Sequence, residues 1–429
     1  MKDYIYPKRE NWEKLLRRPT QSLSDIRMVV QPIMDEVQNT GDKALKAYTT
    51  KFDGITLSDL AVSSEEIKSA SSEVSDQLKK AIKVAHRNIL QFHEAQKTAP
   101  LKIETMPGVL CERKSVAIPK VGLYIPGGTA PLFSTVLMLA IPAKIAGCKE
   151  IVLCSPPNKE GKIHPAILYA AELAGTTQIF KVGGAQAIAA LAFGTESVPK
   201  VDKIFGPGNQ YVTAAKQLAS LEAVAIDMPA GPSEVLVYAD KDANPAFIAA
   251  DLLSQAEHGI DSQVIFVTTA PEILGALQKE IYLQLSELAR WEIADKCLQN
   301  SAVFILKDEK ESIDLMNLYA PEHLIILAKN AREIADQIEN AGSIFLGYYT
   351  PESAGDYASG TNHTLPTNGA ARAYSGVSLD SFVKYITYQE VTPEGLQSLG
   401  PHVEVMAEAE ALMAHKNAVT VRLNMLKHK

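Results

Sequence analysis

Cysteine is scarce in this 429-residue chain: Cys111, Cys148, Cys154 and Cys297 are the four it has, and no two stand at C-x-x-C spacing. That excludes a disulfide framework and points to reduced thiols in a reducing compartment. Positive charge is in deficit too, with 42 Lys+Arg against 50 Asp+Glu, a formal charge of -8 and no long basic run. A nucleic-acid partner is therefore not expected. Long apolar runs are missing: the most apolar stretch, residues 131–146, is interrupted by Pro142 and Lys144. It stops short of the ~20 residues that a bilayer crossing takes, so no membrane partner is expected. The start, MKDYIYPKRENWEKLLRRP, is charged and lacks an apolar core, which argues against a secretory signal and for a cytoplasmic protein. What is present is a balance of 46% hydrophobic and 21% charged residues, that of an ordinary globular protein. At ~100 to 200 residues per domain the chain holds two to four units, each able to bury a core.

Residues 1–100 carry helix formers at 3.6-residue spacing in IRMVVQPIMDEVQ, DKALKAYTTKFDG and EEIKSASSEVSDQLKKAIKVAHRNILQFHEAQ, which predicts a helical entry region. His86 and His93 lie there among charged residues and read as surface. From about residue 114 short apolar runs alternate with glycine-punctuated helical segments: VGLYIPGG, EIVLCSPP, QIFKVGG and KVDKIFGPGN. A second series follows in EAVAID, SEVLVYAD, QVIFVTT, SAVFIL, HLIILA and AGSIFLG. Such alternation predicts an α/β fold of βαβ units with parallel sheets, two units in one chain. After SLDSFVKYITYQE the strand signals stop. EVTPEG, residues 390–395, then reads as a linker, and residues 402–424 as one terminal helix that needs another domain or subunit to pack on.

The usual dinucleotide fingerprint, G-x-G-x-x-G after a first strand, is absent. Its nearest match is GPGNQY, residues 206–211, between a strand and a helix, with Asp227 about twenty residues on. Tyr211 stands where the third glycine belongs, so the loop is either an unorthodox dinucleotide turn or an ordinary strand-to-helix turn. PGGTAP, residues 126–131, either offers free backbone donors to an anion or simply makes a tight turn. Asn244-Pro245 opens a helix and Gly259 closes it, which places Gln255 and His258 in one last turn. They offer one metal a carbonyl oxygen and an imidazole nitrogen, or they form a polar helix face.

Glu322 and His323 precede the strand LIILA. They pair a carboxylate with an imidazole whose ordinary pKa of about 6.5 suits proton transfer, or else form a solvated surface pair. The loop over 354–366, AGDYASGTNHTLP, holds Asp356 and His363 among small residues and hydroxyls, and long polar loops tend to carry function. Glu410 and His415, five apart on the predicted terminal helix and offset by about 140 degrees, serve one pocket only if the helix end meets it obliquely. Cys148 and Cys154 flank the strand EIVLC and read as core residues rather than as thiohemiacetal nucleophiles.

Taken in order, VGLYIPGGTAPLFSTVLMLAIPAKIAGC, VGGAQAIAALAFGT, DKIFGPGNQYVTAAK, DMPAGPSEVLV, DLLSQAEHG, YAPEHL, GDYASGTNHTLPT and AHKNAV resemble the histidinol dehydrogenase family, from about residue 20 to the end. The resemblance implies two incomplete Rossmann-like parallel-sheet domains with helical N-terminal and C-terminal extensions involved in dimerisation. We divide the chain accordingly into an N-terminal helical arm over 1–22, a discontinuous first α/β domain over 23–122 and 233–378, an inserted second one over 123–232, and a helical tail over 379–429.

The activity implied is a zinc-dependent, four-electron oxidation of L-histidinol to L-histidine through L-histidinal with two NAD, the last step of L-histidine biosynthesis. Gln255, His258, Asp356 and His415 match the family's zinc ligands, with His415 and Glu410 contributed across the interface of a homodimer. Glu322 and His323 match the catalytic pair. Ser233, His363 and Glu410 match substrate contacts, as do the zinc ligands and His323; Tyr124, Gln186 and Asn209 match positions that bind NAD. On this reading His323 takes the hydroxyl proton as hydride leaves, and Glu322 activates the water that hydrates the aldehyde.

Overall fold

The structure, a computed structural model, describes residues 1–19, 23–127, 131–228 and 231–427. The heart of the PGGTAP turn, residues 229–230 of DMPAGPSEVLV and the end of the expected arm lie outside the described residues. Among the described residues the strands, in chain order, are β1 (Lys2–Ile5), β2 (Leu101–Met106), β3 (Val109–Ala117), β4 (Lys120–Tyr124), β5 (Glu150–Ser155), β6 (Gln178–Lys181), β7 (Lys203–Phe205), β8 (Ala225–Ile226), β9 (Glu234–Ala239), β10 (Gln263–Thr268), β11 (Ala302–Ile305), β12 (His323–Leu327), β13 (Ser343–Leu346) and β14 (Val383–Val391). The chain forms two compact units, Met1–Gln96 with Ile118–Phe382, and Lys97–Ala117 with Val383–Lys429.

The larger unit contains two parallel sheets. One runs β6-β5-β4-β7-β8 and the other β1-β11-β10-β9-β12-β13. Counted from β4 and from β9, each has the doubly wound order 3-2-1-4-5, with a switch point between β4 and β7 and another between β9 and β12. Continuous apolar runs such as VLVYA and LIIL suit strands covered by helices on both faces, and β9, β10, β11 and β12 are buried throughout. The helix Phe133–Ala146 is buried over Ser134–Ala143, which is why its sequence is apolar all round. No helix among the described residues is long and apolar enough to cross a membrane.

The α/β architecture and the strand runs agree with the sequence reading, but the entry region differs in three ways. The first residues form strand β1, parallel to β11 at the sheet edge, where a helical arm was expected. A four-residue strand on an edge carries too little periodicity to announce itself. The helices Leu23–Thr40 and Asp76–Glu94 send Ile26, Val30 and Met34, and Ile82 and Ile89, onto opposite faces of the five-stranded sheet. They therefore pack with β4–β8 rather than with the sheet formed after residue 233. His93 is fully buried, because it continues the apolar stripe of Ile82, Ala85 and Ile89; its Nδ1 contacts the Ile89 carbonyl at 2.8 Å.

The smaller unit is an antiparallel sheet, β14-β3-β2, with two helices, Pro393–Ala409 and Met413–Lys427. The expected linker over 390–395 is the end of β14 running straight into a helix start, capped by the Thr392 hydroxyl at Gly395 N, 3.1 Å. The single terminal helix is likewise a hairpin: Ala411 adopts a left-handed φ of +59° between the two helices. Their antiparallel packing sets Gly400 against Leu423, while Lys416 pairs with Glu408 at 2.8 Å.

Candidate active site

At the carboxyl edge of the five-stranded sheet, Tyr124 ends β4 and its hydroxyl accepts a hydrogen bond from Gly184 N at 3.1 Å. Gly184 opens the helix Gly184–Phe193, whose first turn holds the buried Gln186. Asn209 caps the helix Gln210–Glu222, its Oδ1 accepting from Tyr211 N and Val212 N at 3.1 Å. Gly206 has φ +127°, and a Cβ there would lie 2.1 Å from the Tyr124 carbonyl, so only glycine lets the ends of β4 and β7 approach this closely. The three residues expected to bind NAD thus gather around one switch point. Asp227 does not join them. It is buried in a salt bridge with Lys216 and accepts from Gly206 N at 2.9 Å and Met228 N at 2.7 Å, so it serves the loop itself.

A second group lies at the amino edge of the six-stranded sheet. Glu322 and His323 sit at the start of β12 and are 5% and 4% exposed, so they are not a solvated pair. The backbone of Glu234, first residue of β9, holds both: its N–H donates to Glu322 Oε2 at 2.9 Å, and its carbonyl faces His323 Nδ1 at 3.3 Å. The helix Glu352–Tyr357 brings Glu352 and Asp356, four apart, onto one face. The expected polar loop over 354–366 therefore begins as helix. His323 Nδ1 lies 3.6 Å from Glu322 and 3.7 Å from Glu352, and its Nε2 lies 3.5 Å from Asp356.

Three carboxylates around one imidazole set the electrostatics. Burial pushes Glu322 up to about 8, and it raises Glu352 well above the carboxylate range. Burial opposes charge on His323, but Glu352, Glu322 and Asp356 outweigh it and raise its pKa well above the ordinary value. Burial likewise raises Asp356, yet the adjacent His323 charge overrides this and lowers it.

Gln255 lies in the last turn of the helix Pro245–Ala256, with its amide nitrogen donating to Glu352 and its oxygen accepting from Glu234 N at 3.0 Å. His258 follows that helix by two residues rather than ending it, and its crowded surroundings lower its pKa by desolvation, which leaves the ring neutral. Asp356 and His323 act electrostatically on His258, so the group reaches from Glu322 to His258. His363 is placed by both ring nitrogens: Nδ1 donates to the Asp356 carbonyl at 2.8 Å, and Nε2 lies 3.0 Å from the Thr135 hydroxyl. Ser233 directly precedes β9, and its carbonyl accepts from Gln263 N at 3.3 Å. Glu410 caps the helix Pro393–Ala409 and His415 lies in the first turn of Met413–Lys427, so they occupy two helices of the smaller unit and not one.

The ligand atoms of His323, Glu352 and Asp356 lie within 4.8 Å of one another, the geometry of a cation site. This trio shares only Asp356 with the expected zinc set. Glu352, Glu234 and Asp251 were missed from sequence. The spacing Glu352-x-x-x-Asp356 after Pro351 was a usable sign of a helix face; a lone glutamate heading an apolar strand was not. Cys148 and Cys154 are buried, and burial raises both thiols, Cys148 to about 11, so neither is poised as a nucleophile.

A sequence model described as histidinol dehydrogenase matches residues 16–423. Histidinol dehydrogenase of Bacteroides thetaiotaomicron is 62% identical over 427 residues, the whole of both chains. That of Escherichia coli is 56% identical over 421 residues, covering 97% of this chain and 96% of its own. The crystal structure of histidinol dehydrogenase from Elizabethkingia anophelis is 56% identical, with a TM-score of 0.96, covering 100% of this chain and 99% of that one. With a buried carboxylate–imidazole pair beside a doubly wound sheet, and likeness of this extent along the whole chain, the protein belongs to the histidinol dehydrogenase family, a family of oxidoreductases.

Proposed function

We propose that the chain oxidises L-histidinol to L-histidine by two hydride transfers to NAD through L-histidinal, with zinc bound, as the last step of histidine biosynthesis. The observation that carries this reading is the buried Glu322–His323 pair, held by the backbone of one residue at the amino edge of β9 and β12. Overall, R–CH2OH + 2 NAD+ + H2O gives R–COO− + 2 NADH + 3 H+.

The Glu234 carbonyl can only accept, so Nδ1 of His323 carries hydrogen toward it, and Nε2 is the end that moves a proton. That nitrogen is buried and has no hydrogen-bond partner among the described residues. His323 is charged while the three carboxylates around it are unneutralised; in its neutral form, which gains as their charge is offset, Nε2 takes the hydroxyl proton as the first hydride leaves carbon. Glu322 is mostly protonated at neutral pH, and its ionised fraction, a stronger base for the raised pKa, takes a proton from the water that adds to the aldehyde; His323 then serves the hydrated aldehyde in the same way.

The donors present fit a divalent cation: nitrogen and oxygen atoms without thiolate, a neutral His258, and a Glu352 Oε2 that is buried and unpartnered among the described residues. Gln255, His258 and Asp356, with His415 from the other subunit of a homodimer, are the residues that would hold zinc, which supplies positive charge to grip and orient the substrate's nitrogens. Ser233, His363 and Glu410 complete the substrate site, and Tyr124, Gln186 and Asn209 the NAD site. The homodimer is supported by apolar side chains that the smaller unit leaves exposed, among them Val405 at 67%, Met406 at 65% and Met425 at 68%. Four unpaired cysteines support a cytoplasmic setting.

The test is NADH formation from L-histidinol by purified, zinc-loaded protein. Two NADH per L-histidine, lost on chelation and restored by zinc, is the expected result. Zinc-loaded protein that leaves L-histidinol unoxidised in the presence of NAD would overturn the reading.

A further inference from the structure

A cavity of about 410 Å³ opens beyond the carboxyl ends of β4 and β5, and its lining includes Gly127, Ser155, Pro156, Asp53 and His164. In a doubly wound sheet an adenosine ribose bound at this edge is recognised by a carboxylate, usually found some twenty residues after the glycine loop. Two obvious sources of that carboxylate are missing here. Strand β5 ends in Ser155 followed by prolines, and Asp227 is committed to Lys216 and its own loop. A third source lies outside the sheet. Asp53, the last residue of the helix Asp42–Asp53, brings its carboxylate to the cavity wall, close enough to Tyr124 to act on it electrostatically.

Two polar atoms of this wall stand idle. Asp53 Oδ2 and Ser155 Oγ are both buried, and neither has a hydrogen-bond partner among the described residues; Ser155 as a whole is 0% exposed. Native folds rarely leave such atoms without a partner, because each unsatisfied one is destabilising. Burial raises the Asp53 carboxyl to about 6, so it remains an anion at neutral pH.

We propose that Asp53, with Ser155 as a second contact, binds the adenosine ribose hydroxyls of the dinucleotide and selects NAD over its 2′-phosphorylated form. The assignment rests on the NAD-dependent reading above. A carboxylate accepts two vicinal hydroxyls well, whereas a 2′-phosphate brings like charge against it. Lys159, on the same lining, is the cation that would have to offset that repulsion.

Titration calorimetry of full-length, zinc-loaded protein with NAD and with NADP tests this by binding, independently of turnover. Wild type should prefer NAD by at least ~100-fold. Asp53→Asn should weaken NAD roughly 10- to 100-fold, the worth of one charge-assisted hydrogen bond, while NADP, relieved of the like charge, binds as well as before or tighter. Ser155→Ala should weaken NAD by about threefold. A folding defect would weaken both dinucleotides alike, so the ratio isolates the contact. Asp53→Asn with an unchanged preference overturns the assignment even if L-histidinol oxidation by wild type stands; wild type that binds neither dinucleotide overturns the dehydrogenase reading as well.

Discussion

Replacing Arg18 with Gln would strand the charge of Glu234, the residue whose backbone holds the proposed catalytic pair Glu322 and His323. Arg18 pairs with the Glu234 carboxylate through Nε and Nη2, the latter at 2.7 Å; it also donates to the Tyr319 carbonyl at 2.8 Å and stacks 4.0 Å over the Tyr319 ring. The two side chains are 15% and 3% exposed, so solvent cannot take over when one is removed. Breaking such a pair from one side costs about 3 to 5 kcal/mol. At roughly 2 °C per kcal/mol for a unit of this size, Tm should fall by about 6 to 10 °C.

Turnover should fall further than the loss of folded protein explains, because the Glu234 backbone holds both Glu322 and His323. The double variant Arg18→Met/Glu234→Met removes both charges and should recover most of the lost Tm, since an apolar pair of similar volume is often neutral or better. Calorimetric melts of wild type, both single variants and the double variant give the coupling, and NADH formation well below Tm gives the catalytic part. A single variant melting within 2 °C of wild type, or a double variant melting below both singles, would refute the reasoning.

Asp251 is 6% exposed, and burial alone raises it to about 7. The folded state keeps a proton that the unfolded chain releases above about pH 4, so this group's contribution is full below pH 4 and lost as pH climbs toward 7. Asp251→Asn should therefore match wild type at pH 4 and exceed it by roughly 4 kcal/mol at pH 8 in chelator-treated protein; equal melting at pH 8 would refute this. Cys148, Cys154 and Cys297 are buried with raised thiol pKa values and Cys111 is half-buried, so iodoacetamide on native protein should modify Cys111 first without loss of turnover. Inactivation in step with alkylation of Cys148 or Cys154 would restore a thiol mechanism. Mixed subunits carrying His415→Ala and His323→Ala should regain part of the activity that each lacks alone, and failure to recover any would count against a site shared between chains.

Much of this protein is local information. Apolar runs bounded by Gly and Pro announced the parallel strands from β4 to β13, because a strand covered on both faces is a short unbroken apolar run complete within half a dozen residues. The residues of the site were legible as motifs, and the resemblance assigned their roles. Burial and partnership were not legible. His93 looked like surface and lies in the core, while Glu322 and His323 could equally have been a solvated pair until β9 brought Glu234 against them. Asp227 had the right spacing for a ribose carboxylate, and the structure gives it to Lys216; Asp53 had no motif at all, and the structure puts it on the cavity wall. A pattern read along the chain reports what each segment prefers, whereas a pKa, an ion pair or an unsatisfied oxygen depends on atoms hundreds of residues away. Arg18 meets Glu234 only because the sheet closes the distance between them.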